Sequence, residues 1–311
     1  MTATLHITQA GPLVSIQDQG RAGLARFGVT ASGPMDRLAC AAANAALGNP
    51  VDAPVIEVSL GGIRLEYRGK PVSIAIAGGG FIVESGSKYG SWQVLTLRDG
   101  DSLTIRRGPW GSWCYLAVAG TLLCPAWLGS HATHANSGKG GGLLRKGDML
   151  EVQSPCATHA PRTLPCPIFA RPRHALHVTI GPQDRFFAPE TLRALLDTNF
   201  ALTTAYDRMG VRLKGADLTP KAALTMPSEP ISRGALQVAG DGVPTLLLAD
   251  HQTTGGYPKI ATVLDCDLDA ATQLRSFDTL RFASVTPSQA IARARMAAAA
   301  RARYLAQVTQ L

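Results

Sequence analysis

A chain of 311 residues with 46% hydrophobic and 17% charged side chains has an ordinary globular composition. That excludes a disordered polymer and leaves room for one large core or two ordinary ones. Thirty-two glycines and 20 prolines against 6% aromatics favour many turns, and so short strands. The net charge of +8 is dispersed except where Arg293, Arg295, Arg301 and Arg303 gather near the C-terminus. No RNP motif, zinc finger or aromatic-interleaved basic patch accompanies it, so nucleic-acid binding is set aside.

The six cysteines, Cys40, Cys114, Cys124, Cys156, Cys166 and Cys266, form no CxxC pair. The opening MTATLHITQAGPLVSIQDQG lacks a basic stretch followed by an apolar run, and no apolar segment reaches membrane-spanning length. Reduced thiols in a cytoplasmic protein are expected, with no membrane partner.

In chain order, Leu5 to Ile16 alternates loosely and reads as a strand interrupted at Gly11-Pro12. A long polar, glycine-rich loop follows, containing Arg21 and ending at Ser32-Gly33-Pro34-Met35-Asp36. The alanine-rich run behind it, with Leu38, Ala42 and Leu47 on one side, predicts a helix stopped at Gly48-Asn49. Asp36 stands at its start, where a cap and a substrate-facing carboxylate are both open readings. The strand expected over 53–65 carries Glu57, whose alternation with Val55 and Ser59 points to a wet face. Val72 to Ala77 and Phe81 to Val83 read as two strands joined at a glycine turn.

A short motif recurs. Arg98-Asp99-Gly100-Asp101 and Arg145-Lys146-Gly147-Asp148 each precede an alternating strand, and Arg275-Ser276-Phe277-Asp278 is a weaker third copy. The stretch Ser137 to Gly142 lacks the spacing of a phosphate-binding loop and reads as a flexible loop. His131/His134 and His174/His177 lack a carboxylate cluster, so no metal site is expected. Prolines crowd 154–174, the best candidate linker. It divides a β-rich N-terminal domain (1–153) from a second β-rich domain (175–286), with a basic helix over 287–311. Ile291, Met296 and Leu305 are the residues available to dock that helix, and an exposed basic tail is the other reading.

Within the second half, Pro189 starts a short helix. Asp207 and Arg208 form either a structural ion pair or a ligand contact. Glu229 lies in a loop before a strand at 235–238. The segment Ala249 to Val263, ADHQTTGGYPKIATV, concentrates polar groups between two apolar runs. It reads as a strand, a turn at Gly255-Gly256 and a second strand, and the glycines permit positive φ and close approach of a ligand. Gln252, Thr253, Thr254, Tyr257 and Lys259 would suit an anionic or amide-bearing ligand. A solvated hairpin turn is the competing reading. No GxSxG or Rossmann fingerprint occurs, so any chemistry is expected at a shared site or on an imported activated group.

Four segments, GPLVSIQDQGRAG, FGVTASGPMD with AAANAALGN, YDRMGVRLKG, and SEPISRGALQV with LLLADHQTTGGYPKIATV, together resemble one family. It is the family of the C-type subunit of bacterial 5-oxoprolinase, the Kip antagonist and the carboxyltransferase part of urea amidolyase. Tyr206 stands where a serine is common, His251 where an arginine is common, LGSHAT replaces LGSRST, and the turn at Asp278 lacks its glycine. The resemblance implies a mainly β protein of two β-rich domains with cyclophilin-like barrel character. It also implies a B-type (Kip-inhibitor-like) subunit, an A-type subunit and ATP-dependent opening of a small lactam or amide. ATP, with Mg, would be held by the complex rather than by this chain alone. A biotin-dependent carboxyltransferase half and a non-catalytic regulatory binder are the alternatives. On this resemblance Lys259 with Asp36 or Asp207 would act on the reacting groups. Gln252, Thr253, Thr254, Gly255, Gly256 and Tyr257 would line the substrate, with Arg21 and Arg208 holding a carboxylate.

Overall fold

A computed structural model describes residues 2–221 and 226–311. The chain forms two compact units. One comprises the chain up to Arg21, Ser32–Arg171 and Arg301–Leu311; the other comprises Ala22–Ala31 and Pro172–Ala300. The boundary is therefore not a single cut in sequence.

The first unit holds two antiparallel sheets. The seven-stranded sheet runs, edge to edge, through Thr121–Leu123, Met149–Gln153, Thr2–Ala10, Ile63–Arg68, Ser102–Trp110, Gly80–Ser85 and Ser87–Gly90. Its strands alternate, with Leu5, Ile7, Leu65, Leu103 and Ile105 fully buried. The six-stranded sheet runs Arg162–Thr163, Gln93–Leu97, Val72–Ala77, Trp113–Val118, Val55–Ser59 and Ser15–Gln17. Every residue of Val72–Ala77 and Trp113–Val118 is buried, because the helix Arg37–Ala45 packs on the sheet. Continuous apolar runs are what a sheet covered in this way requires.

That helix overturns the wet-face expectation for Glu57. A strand beneath a helix has no wet face there, and Glu57 is fully buried. Its carboxylate accepts from the Tyr115 hydroxyl and from the Met35 amide, both at 2.8 Å. The glycine turn expected after Ala77 does join two strands. Val72–Ala77 and Gly80–Ser85 belong to different sheets, and Gly78 and Gly79 let the chain change sheet at positive φ. A Cβ on Gly78 would come within 2.8 Å of the Trp113 carbonyl oxygen.

The C-terminal helix spans Pro287–Gln310. Ile291 and Met296 are 54% and 72% exposed, so they do not dock it. Tyr304 and Val308 do. The Tyr304 ring meets Trp92 and Phe169 edge-on, and its hydroxyl donates to the Pro165 carbonyl at 2.8 Å. Tyr304 lies between Arg303 and Leu305 and Val308 between Gln307 and Thr309, so two apolar residues four apart carry little weight in the sequence.

The second unit is a closed seven-stranded barrel in the order Ala175–Ile180, Lys259–Val263, Ala235–Val238, Pro244–Leu247, Gly210–Lys214, Phe200–Tyr206 and Thr279–Ser284. Closure comes from a parallel pairing of Ala175–Ile180 with Thr279–Ser284. Two short helices, Pro189–Asp197 and Asp265–Thr272, accompany it. The first begins on its proline, as expected. The second follows a strand with hardly a break, and its signal is the pair Asp265 and Asp267 in the first turn. Buried Asp267 anchors it, accepting from the His177 backbone and ring, both at 2.8 Å, and from Arg173.

The recurring turn is one structure built three times. The Arg amide donates to the Asp carboxylate at 2.8, 2.7 and 2.8 Å for Arg98/Asp101, Arg145/Asp148 and Arg275/Asp278. The Asp amide returns to the Arg carbonyl at 3.0, 3.1 and 3.0 Å. The residue before each Asp is left-handed: Gly100 at φ 87°, Gly147 at 96°, and Phe277 at 76°. For a bulky L-residue this conformation costs about 1–2 kcal/mol.

Candidate functional site

The polar segment 249–258 crosses one end of the barrel. The hairpin readings fail, because Pro244–Leu247 and Lys259–Val263 do not pair with each other; Ala235–Val238 lies between them and pairs with both. The connection therefore has to pass over that strand. It rests on a two-stranded ribbon, Thr254–Gly255 against Glu229–Pro230.

Gly255 and Gly256 do not use positive φ. Gly255 instead sits where space is tight, against the ends of two side chains. A Cβ there would lie 2.5 Å from Ile231 Cδ1 and 2.7 Å from Gln237 Nε2. In that space the Gln252 amide donates to Gln237 Oε1 at 3.1 Å, and Gln237 Nε2 donates to the Tyr257 carbonyl at 3.3 Å. Thr253 gives its carbonyl to the Ile231 amide at 3.0 Å. Tyr257 is 49% exposed, its ring turned to solvent.

Lys259 is a buried cation at this end, 3% exposed. Its Nζ lies 3.5 Å from Glu229 Oε2 and 3.4 Å from the Pro230 carbonyl, long for hydrogen bonds to an ammonium. Buried Gln183 ties the group together. Its Oε1 accepts from the Lys259 amide at 2.9 Å, and its Nε2 donates to Glu229. The Glu229 side chain is 38% exposed, so it is the accessible end of the pair. The arrangement supplies a desolvated ammonium and oriented amides, the donors that suit an oxyanion or a carboxylate.

Arg208 and Asp207 do not pair with each other. Arg208 makes a two-pronged ion pair with Asp250, Nε to Oδ2 and Nη2 to Oδ1, both 3.0 Å, and both side chains are 1% exposed. Asp207 Oδ1 accepts the amides of Met209 and Gly210 at 2.7 and 3.1 Å, forming an Asx turn. His251 is half-buried, and its Nδ1 donates to the Gln252 carbonyl at 2.6 Å. Burial lowers its pKa below the usual 6.5, with the Gln252 bond opposing. The Thr30 hydroxyl donates to the His251 carbonyl at 2.9 Å, so the early loop 22–31 supports this segment.

Two expected site residues, Asp36 and Arg21, belong to the first unit. Asp36 caps its helix, accepting from the Ala39 amide at 2.9 Å, and is 1% exposed. Arg21 is 3% exposed, donates to the Ala132 and Trp127 carbonyls and stacks 4.8 Å over the Trp127 ring.

Sequence reasoning misses Gln183, Gln237 and Asp250. Asp250 adjoins the polar run and is readable as an acid beside it. The two glutamines come from distant strands or turns and carry no local signal. Among the described residues, no group of three or more His, Cys, Asp or Glu is placed to hold a metal. All six cysteines are free, and no helix among the described residues is long and apolar enough to cross a membrane.

Residues 27–284 match the family described as carboxyltransferase domain, subdomain A and B, and the chain belongs to that family. Within it, the chain is 34% identical to the C-type subunit of 5-oxoprolinase from Haemophilus influenzae, over 89% of each chain. It is 30% identical to the subunit of the same name in Escherichia coli, over 92% of this chain and 93% of that one. The urea carboxylase of Kluyveromyces lactis superposes with a TM-score of 0.85 at 25% identity, covering 97% of this chain and 29% of that chain.

Proposed function

We propose that this chain is the C-type subunit of a heteromeric, ATP-dependent 5-oxoprolinase, acting on a small lactam at a site completed by a B-type subunit. The observation that carries this reading is the likeness to the Haemophilus influenzae subunit along nearly the whole of both chains. The barrel end supplies the chemistry. Lys259 Nζ holds Glu229 at 3.5 Å, so a ligand oxygen taking that place can form a shorter, charge-assisted bond. Gln252, Thr253, Thr254 and Tyr257 lie on the connection above it, and Gly255 keeps that connection close. The Arg208–Asp250 pair fixes the start of the connection rather than the substrate. ATP, with Mg, is a co-substrate of the assembled complex. The chain works in the cytoplasm with A-type and B-type partners.

A second reading draws on the superposition with the urea carboxylase: a biotin-dependent carboxyltransferase half using the same donors. Under it a biotin carrier replaces the A-type partner.

The test is glutamate formation from 5-oxoproline and ATP by this chain mixed with its A-type and B-type partners. Turnover that vanishes when the chain is omitted supports the first reading. Lys259→Met is expected to lower that rate by about 100-fold or more, the usual loss of one oriented donor, while leaving the fold intact. Full activity of Lys259→Met refutes the assignment of Nζ. A stable complex without turnover favours the second reading.

A further inference from the structure

The three copies of the Arg–x–x–Asp turn form an internal control. Besides the two Arg–Asp bonds, the third residue of each turn donates its amide to a neighbouring strand. Gly100 donates to Tyr67, Gly147 to Ile7 and Phe277 to Leu202, at 2.9, 2.8 and 2.7 Å. Tyr67, Ile7 and Leu202 in turn donate to the carbonyl of the turn's Asp at 2.9, 2.8 and 2.9 Å. The scaffold is the same in all three, and two copies place glycine at the left-handed position. The third places phenylalanine there and leaves it 76% exposed.

Folding of this chain alone favours glycine at that position. The phenyl ring recovers little by burial, and the backbone carries the strain of a bulky residue at positive φ. Leu128 also combines positive φ with exposure, at 51° and 53%, but no sister turn shows which residue its geometry prefers.

We infer that Phe277 is an anchor residue of an interaction surface, and that its occupant is the B-type subunit, which presents an apolar socket with an acidic rim. The inference rests on the subunit reading proposed for the chain. Four bonds hold the turn rigid, so the ring is displayed with little ordering cost on binding. Aromatic side chains of this kind dominate interface cores. Two residues on, Thr279 begins a recess of about 330 Å³ that is also lined by His174, Asn199 and Arg281. Arg281 is exposed, and the chain carries a net charge of +8. That charge fits an acidic partner and works against a second copy of this chain.

The experiment is calorimetric titration of the full chain with the purified B-type subunit, for the native sequence, Phe277→Gly and Phe277→Tyr. Phe277→Gly is expected to raise the melting temperature of the isolated chain. It is also expected to weaken binding by roughly 30-fold, the loss typical of a central interface residue. Phe277→Tyr is expected to keep the affinity. Native binding with unchanged affinity in Phe277→Gly overturns the anchor and leaves the subunit reading standing. Failure of the native chain to bind the B-type subunit overturns both. Self-association by sedimentation that is lost in Phe277→Gly overturns the assignment in favour of a second copy.

Discussion

Asp250→Ala tests whether the Arg208–Asp250 pair holds the start of the polar connection. The two charges share parallel bonds of 3.0 Å at 1% exposure, and the backbone is welded beside them. The Asp250 amide donates to the Arg208 carbonyl at 2.8 Å, and the Leu248 amide to the Met209 carbonyl at 2.9 Å. Removing the carboxylate takes two charge-assisted bonds from a guanidinium that is 1% exposed. Breaking one side of a buried pair costs about 3–5 kcal/mol. That is a large share of the roughly 5–15 kcal/mol that stabilises a domain. Arg208→Met combined with Asp250→Ala removes both charges, so the double variant is expected to be more stable than Asp250→Ala alone. Urea unfolding of the full chain, followed by circular dichroism, measures all four corners of the cycle. A loss below about 1 kcal/mol in Asp250→Ala, the range of an exposed pair, refutes the reasoning. So does a double variant whose loss equals the sum of the single losses.

Two other perturbations follow from the same end of the barrel. Below pH 6.5 the unfolded chain protonates His251 while the folded chain resists, because burial lowers the folded pKa. The unfolded state then binds more protons, so this group's contribution to stability falls as pH drops below that value. The melting temperature of the native chain is expected to fall more steeply from pH 7 towards 5 than that of His251→Gln, and equal slopes refute the shift. Gly255→Ala places a methyl within 2.7 Å of Gln237 Nε2 and closer still to Ile231. Both contacts are ends of side chains that can shift, so the stability loss is expected to be about 1 kcal/mol, the low end of overpacking, with complex activity cut further. An unchanged melting temperature and turnover refute the packing role of that glycine.

What is legible in the chain is local. The Asp36 cap, the proline-started helix at 189, the Arg–x–x–Asp turns and the polar run at 249–258 each depend on neighbours within a few residues. The exposed aromatic at a glycine position is visible once the turns are aligned, because Gly100 and Gly147 supply the comparison. Family membership is readable too, since four motifs keep their order and spacing.

Glu57 reads wrongly as a wet-face residue because alternation cannot tell a wet face from one covered by a helix. The 249–258 connection reads wrongly as a turn because no local rule reveals that Ala235–Val238 inserts between the strands it joins. Arg208 meets Asp250 rather than its neighbour Asp207 because pairing of buried charges follows the sheet register, not the sequence. Local hydrogen bonds, capping and φ preferences are set by adjacent residues and so are written in order along the chain. Burial, charge pairing and the Lys259–Glu229–Gln183 cluster depend on which strands become neighbours when the barrel closes, and only the tertiary structure decides that.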